Sequence, residues 1–82
     1  MARNTYTDAN RQLAALIKAM REEAGLNQVD LAVAVGHSQS WMSDVEAGQR
    51  RVDLIDLRTI CRASGTTLQA FVERFEEGLP RE

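Results

Sequence analysis

Five glycines, Gly25, Gly36, Gly48, Gly65 and Gly78, cut the chain into short stretches, and each closes a run in which apolar residues recur with a helical period. A helix commonly ends on a residue in the left-handed region, which glycine enters without steric penalty. The single proline, Pro80, lies beyond the last of these stops, so nothing interrupts a helix from within. No segment alternates apolar and polar residues with period two, and β-branched residues do not cluster. The pattern predicts an all-α chain of five short helices joined by short connections. It forms one domain over residues 6–78, with flexible ends at 1–5 and 79–82.

The first helix is expected from about Asp8 to Ala24, with Leu13, Leu16, Ile17, Met20 and Ala24 on one face. Asn27 is placed to cap the second, with Asp30 three residues on. Leu31, Ala32 and Val35 form its inner side before Gly36. Ser38 caps the third, whose inward residues are Met42 and Val45. The fourth starts at Asp53 and carries Leu54, Leu57, Ile60 and Cys61. The fifth opens at Thr66 or Thr67, with Gln69 spaced to complete a capping box with Thr66. It carries Leu68, Phe71, Val72 and Phe75.

Composition narrows the function. A chain of 82 residues buries only roughly 60–65% of its unfolded surface, which leaves little material for a large cleft. The longest apolar runs, Leu13–Ile17 and Leu31–Val35, are five residues each, whereas a membrane span takes about 20. Residues 1–10 hold no apolar signal-peptide core, so a cytoplasmic protein is expected. One cysteine, Cys61, and one histidine, His37, exclude an internal disulfide, a cysteine metal cluster and most nucleophile–base pairs. No paired carboxylates, metal cluster or phosphate-cradling loop is present, so no enzyme, cofactor, metal or small-molecule ligand is expected. Ten basic residues stand against twelve acidic ones, a net charge of −2. Up to Val52 the count is six against six, and the rest of the chain carries the deficit. Global electrostatics therefore argue mildly against a nucleic-acid partner, and a specific motif has to supply the case for one.

That motif lies between Gln28 and Val45. Two short helices that cross steeply need a small residue at the crossing, a turn residue tolerant of positive φ, and apolar residues behind both. Ala32, Gly36, and Leu31, Val35, Met42 and Val45 meet those needs. This is the helix-turn-helix pattern, in which the second helix enters the DNA major groove. With Met42 and Val45 inward, Ser40, Ser43, Asp44 and Ala47 point outward and Gln39 sits at the edge.

The residues Gly25-Leu26-Asn27-Gln28-Val29-Asp30-Leu31-Ala32, Gly36, Ser38-Gln39-Ser40, Met42-Ser43 and Glu46-Ala47-Gly48-Gln49-Arg50 resemble the Xre/Cro family of phage-repressor-like regulators. Trp41-Met42-Ser43 followed by Arg50-Arg51-Val52-Asp53-Leu54 is similar to the controller proteins of restriction–modification systems. The resemblance covers about residues 11–75. It implies a lambda-repressor-like five-helix fold and a double-stranded DNA operator as partner. It also implies roles at the matching positions. Gln28 bonds a phosphate and braces the third helix. Gln39, Ser40 and Asp44 face base edges. Ser38 and Ser43 touch backbone or base, and Arg50 and Arg51 reach phosphates. Arg21 and Glu46 form a partly buried ion pair. Two departures stand out: the third helix has no Lys or Arg, with Asp44 where many relatives carry Gln, Arg or Lys, and His37 fills a turn position that is often Val or Thr.

Two further surfaces follow from helical geometry. Trp41 falls on the flank of the third helix, where its indole either donates to a phosphate or covers the gap between the second and third helices. Leu68, Phe71, Val72 and Phe75 are expected to form a homodimer surface, or else to be plain core. His37 is expected as a turn residue and Cys61 as packing. The leading expectation is a homodimeric repressor or autoregulator reading a near-palindrome. The alternative is a protein-interaction module, such as an antitoxin or anti-activator, whose partner covers the fifth helix.

Overall fold

A computed structural model describes residues 5–79, which form five helices: α1 (Thr5–Glu23), α2 (Gln28–Val35), α3 (Gln39–Glu46), α4 (Leu54–Ala63) and α5 (Leu68–Glu77). No strand occurs among the described residues. The expected flexible ends lie for the most part outside them. Within them, Thr5 opens α1, and the Leu79 N–H donates to the Glu76 carbonyl at 3.2 Å.

The helix starts follow from local chemistry. Asn27, Ser38 and Asp53 each hold extended backbone angles, and each side chain accepts the backbone N–H three residues on. Each thereby satisfies one of the donors a helix leaves orphaned at its start. For α5 the cap is Thr67, whose hydroxyl accepts from the Ala70 N–H at 3.1 Å. The capping box from Thr66 to Gln69 is not the arrangement adopted. Thr66 belongs instead to the end of α4, where its N–H donates to the Cys61 carbonyl at 2.9 Å.

Four of the five glycines are left-handed, with φ between 74° and 80°. Gly78 is the exception. It keeps right-handed helical angles, φ −82° and ψ −5°, and a Cβ there would run into the side-chain amide of Gln12. A larger residue there would need only a shift of that flexible side chain, so Gly78 ends α5 without a left-handed turn.

One core joins all five helices: Leu16, Ile17 and Met20 of α1, Leu31 and Ala32 of α2, Trp41, Met42 and Val45 of α3, Ile60 and Cys61 of α4, and Phe71 of α5. Leu13, Leu26, Val35, Val52, Leu57, Leu68 and Phe75 pack around it, half-buried. Ala32, 1% exposed, stands at the crossing of α2 with its neighbours. Burial pushes the Cys61 thiol above its ordinary pKa, which leaves it protonated and inert as a packing residue. Two expected inner residues face outward. Ala24 is exposed, and Leu54, the first residue of α4, is 66% exposed. Among the described residues no helix is long and apolar enough to cross a membrane.

Across the molecule α5 is tied to α1 by Arg74 Nη1 and Nη2, which donate to Glu23 Oε1 and Oε2, both at 3.1 Å. The hydrogen bonds from Arg74 hold the Glu23 carboxyl below its ordinary value of 4.5. Its contribution is therefore fully present above that value and fades as pH falls through the lower, folded one. An NMR titration of wild type and Arg74→Gln should show the Glu23 carboxyl titrating at higher pH in the variant; identical curves would mean that the pair does not persist in solution. The reassigned cap has its own check. Thr67→Ala should cost about 1 kcal/mol in urea denaturation and Thr66→Ala much less.

Candidate nucleic-acid interface

Helices α2 and α3 are eight residues each, too short to persist alone in water. What holds them begins at the turn between them. The Gly36 N–H donates to the Val33 carbonyl at 3.2 Å and the His37 N–H to the Ala32 carbonyl at 2.9 Å, the paired closure of a helix whose next residue is left-handed. Ser38 then starts α3, its Oγ accepting from the Trp41 N–H at 3.1 Å. Met42 and Val45 are 0% and 2% exposed and lock the inner side of α3 into the core.

The last turn of α3 is held by a polar cluster. Arg21 Nε donates to Glu46 Oε2 at 2.7 Å and Nη2 to Oε1 at 3.0 Å, while Nη1 donates to the Leu26 carbonyl at 2.8 Å. Gln28 Nε2 adds a bond to Glu46 Oε1 at 3.1 Å. Both side chains of the ion pair are nearly buried, 10% and 4% exposed. Hydrogen bonding to Glu46 raises the Arg21 pKa above its ordinary value. A planar guanidinium matches a carboxylate with two parallel bonds. The Arg21–Glu46 pair thus forms as expected, and Gln28 braces the third helix directly. The loop after α3 is fastened from α1: Asn10 Nδ2 donates to the Gly48 carbonyl at 2.8 Å.

The outward side of α3 remains open. Gln39, Ser40 and Ser43 are exposed and Asp44 half-exposed, and together they line a shallow polar depression. Ser38, Arg50 and Arg51 are exposed nearby in sequence on either side of α3. Arg51 also borders a small cleft with Asn10, Leu13 and Phe75. The face therefore presents amide, hydroxyl and carboxylate groups, with hydrogen-bond donors and acceptors but no cation on the helix itself. Such groups pair with base edges in a major groove.

Two expected site residues are placed differently. Trp41 is 9% exposed and belongs to the core; its ring is covered by His37, with centroids 3.7 Å apart and planes 6° from parallel. Of its two readings, covering the gap between helices describes the ring, and little indole surface is left for a phosphate. Phe71 is 2% exposed and fills the core under α5. A side chain already surrounded by its own chain has no surface for a partner. Leu68 and Phe75 are half-buried and Val72 is 42% exposed, so these three make up the outward apolar row. Sequence reasoning missed the roles of Asn10, of Asp56, which meets His37, and of the Glu23–Arg74 tie. Their partners are far away in the chain, and no local pattern marks them.

A family profile described as a helix-turn-helix domain matches residues 12–78. The chain belongs to this helix-turn-helix family. An XRE-family-like protein from Pseudomonas syringae is 32% identical, with 92% of each chain covered and a TM-score of 0.81, which places this helix-turn-helix protein in the Xre group. The restriction-modification controller protein C.Esp1396I is 23% identical over 84% of this chain and 91% of its own, with a TM-score of 0.78. ClgR, a clp gene regulator from Corynebacterium glutamicum, is 22% identical over 88% and 92%, with a TM-score of 0.79. These two likenesses are of fold. No curated protein sequence matches significantly.

The polar cluster generates a prediction for the helix-turn-helix unit. Glu46→Ala leaves the Arg21 guanidinium buried without its anion and should destabilise by about 3–5 kcal/mol. Urea denaturation measures this, and an unchanged midpoint would show that the pair is dispensable.

Proposed function

We propose that this chain is a sequence-specific DNA-binding transcription regulator that acts as a homodimer and represses from a near-palindromic operator. The observation that carries the reading is the side of α3 away from the core. An eight-residue helix is fastened at its last turn by a nearly buried ion pair and then presents Gln39, Ser40, Ser43 and Asp44 to open space. Fixing a polar helix face this firmly is what groove recognition requires. The likeness in fold to C.Esp1396I, described as a tetramer bound to its natural 35 base-pair operator, supports the reading.

In this reading Gln39, Ser40 and Asp44 meet base edges, Asp44 accepting from a cytosine N4 amino group. Ser38, Ser43 and Gln28 assist, and Arg50 and Arg51 meet phosphates. Ser38 Oγ already accepts from Trp41, so its hydroxyl proton is the part available to a phosphate. Two protomers, joined through Leu68, Val72 and Phe75, set their α3 helices one DNA turn apart, about 34–36 Å.

Gel shift with the DNA upstream of the protein's own gene, against a scrambled duplex of equal length, tests the reading. Retention of the native duplex alone is expected. No retention even at low salt would overturn the DNA assignment and favour a module that binds protein.

Two measurements probe the parts. Each phosphate contact contributes about −0.9 to the log–log salt slope. Arg50→Ala, removing one contact per protomer, should flatten a dimer's slope by about 1.8; an unchanged slope would remove Arg50 from the interface. Val72→Glu places a charge on the outward row without touching the core. Sedimentation at micromolar concentration should give twice the chain mass for wild type and the single-chain mass for the variant. A variant that stays dimeric would move the dimer to another surface.

A further inference from the structure

The polar cluster of Arg21 and Glu46 secures the last turn of α3. The first turn is held by different means. The imidazole of His37, in the turn before α3, lies flat on the Trp41 indole, 3.7 Å between centroids and 6° between planes. Its Nε2 is 3.2 Å from Asp56 Oδ1, in the first turn of α4. Asp56 is itself placed, because its N–H donates to Asp53 Oδ1 at 2.7 Å. The His37 N–H is fixed on the Ala32 carbonyl of α2. A continuous path of contacts thus runs from α4 through Asp56 and His37 to Trp41. Trp41 lies in the same helical turn as Gln39 and Ser40.

We propose that His37, carried by Asp56, is a positioning residue for the first turn of α3. It acts as the N-terminal counterpart of the Arg21–Glu46 clamp and so sets the orientation in which Gln39 and Ser40 meet DNA. The proposal rests on the reading of α3 as the DNA-contacting helix. The charged groups around the imidazole are consistent with a specific contact. On α4 and its cap the charged residues are Asp53, Asp56, Arg58 and Arg62, of which Asp56 meets the ring. On α3, Asp44 lines the outward depression and Glu46 is engaged by Arg21 and Gln28. On α2, Asp30 sits in the first turn, at the far end from His37. Asp56 is thus the carboxylate that meets the ring. A planar ring between a carboxylate and an aromatic face is restrained in both tilt and rotation. At 32% and 29% side-chain exposure, His37 and Asp56 contribute more to placing α3 than to filling the core.

The chain has one histidine and one tryptophan, which makes the contact directly observable. The His37 ring covers one face of the Trp41 indole. At fixed pH, His37→Gln should leave Trp41 emission more accessible to a soluble quencher such as acrylamide than in wild type. Equal quenching in the two folded proteins would overturn the contact. Operator affinity is then compared at a temperature well below every variant's melting point. A helix in the reading orientation one-tenth of the time binds about tenfold more weakly, and a loss of that order is expected for His37→Ala and for Asp56→Ala. His37→Phe, which keeps a flat ring on the indole, should recover part of the loss. Variants that bind as tightly as wild type while folded would overturn the positioning role. If wild type shows the lower quenching but retains no DNA, the assignment of α3 to DNA fails and the positioning role with it, while the His37–Trp41 contact stands.

Discussion

The bonds around Glu46 are the constraint on which the helix-turn-helix unit depends. A buried carboxylate is tolerable only when its oxygens are occupied and its charge is balanced. Here Arg21 supplies two bonds and Gln28 a third. The remaining Arg21 nitrogen, Nη1, reaches the Leu26 carbonyl in the connection to α2. These demands are met only when the end of α1, the α1–α2 turn, the start of α2 and the end of α3 are all in register. A buried ion pair is weak evidence of net stability, since a hydrophobic replacement can do as well. Its directionality makes it strong evidence of geometry, because apolar contacts alone would let two eight-residue helices slide and roll.

Around this cluster the apolar residues set distances. Ile17, Leu31, Met42 and Ile60 are fully buried and come from four different helices. Ala32 is 1% exposed, so a larger side chain there has no room, whereas Gly36 faces open space and is held to glycine by its left-handed φ of 77° at the turn between α2 and α3. The outer ring of contacts, Asn10 to Gly48, His37 to Asp56 and Arg74 to Glu23, then fastens the loop after α3, the turn before it, and α5.

How far the sequence discloses this follows from the range of each interaction. Asn27, Ser38 and Asp53 are legible as caps because a cap is a bond over three residues. Gly36 is legible as the turn because its backbone angle is a local property. Inward and outward sides of α3 follow from periodicity. Trp41, Phe71 and Leu54 do not, because a residue on the flank of a short helix is buried or exposed by its neighbours in space. His37 buries Trp41, the core underlies Phe71, and nothing covers Leu54. Gly78 shows the same limit: it does cap α5, but with right-handed angles, which its position in the sequence alone does not reveal. The Arg21–Glu46 pair was accessible through family resemblance, not from the spacing of two charges 25 residues apart. Asn10, 38 residues from its partner, had neither signal.

The absence of Lys and Arg from α3 gives the fastenings their weight in the proposed function. Most non-specific attraction to DNA comes from neutralised phosphates, and a chain of net charge −2 has little of it. Asp44 adds a local penalty wherever it approaches a phosphate and a gain only where its carboxylate meets a cytosine amino group. For such a face a small rotation of α3 exchanges a favourable contact for a repulsive one. A basic recognition helix tolerates that rotation because its attraction to the backbone is nearly independent of orientation. A neutral-to-acidic one does not, so orientation has to be supplied by the protein. In the proposed function, fixing α3 at both ends, by Glu46 at the last turn and by Trp41 at the first, supplies it before DNA arrives, and a proposed dimer through α5 would add affinity without adding charge.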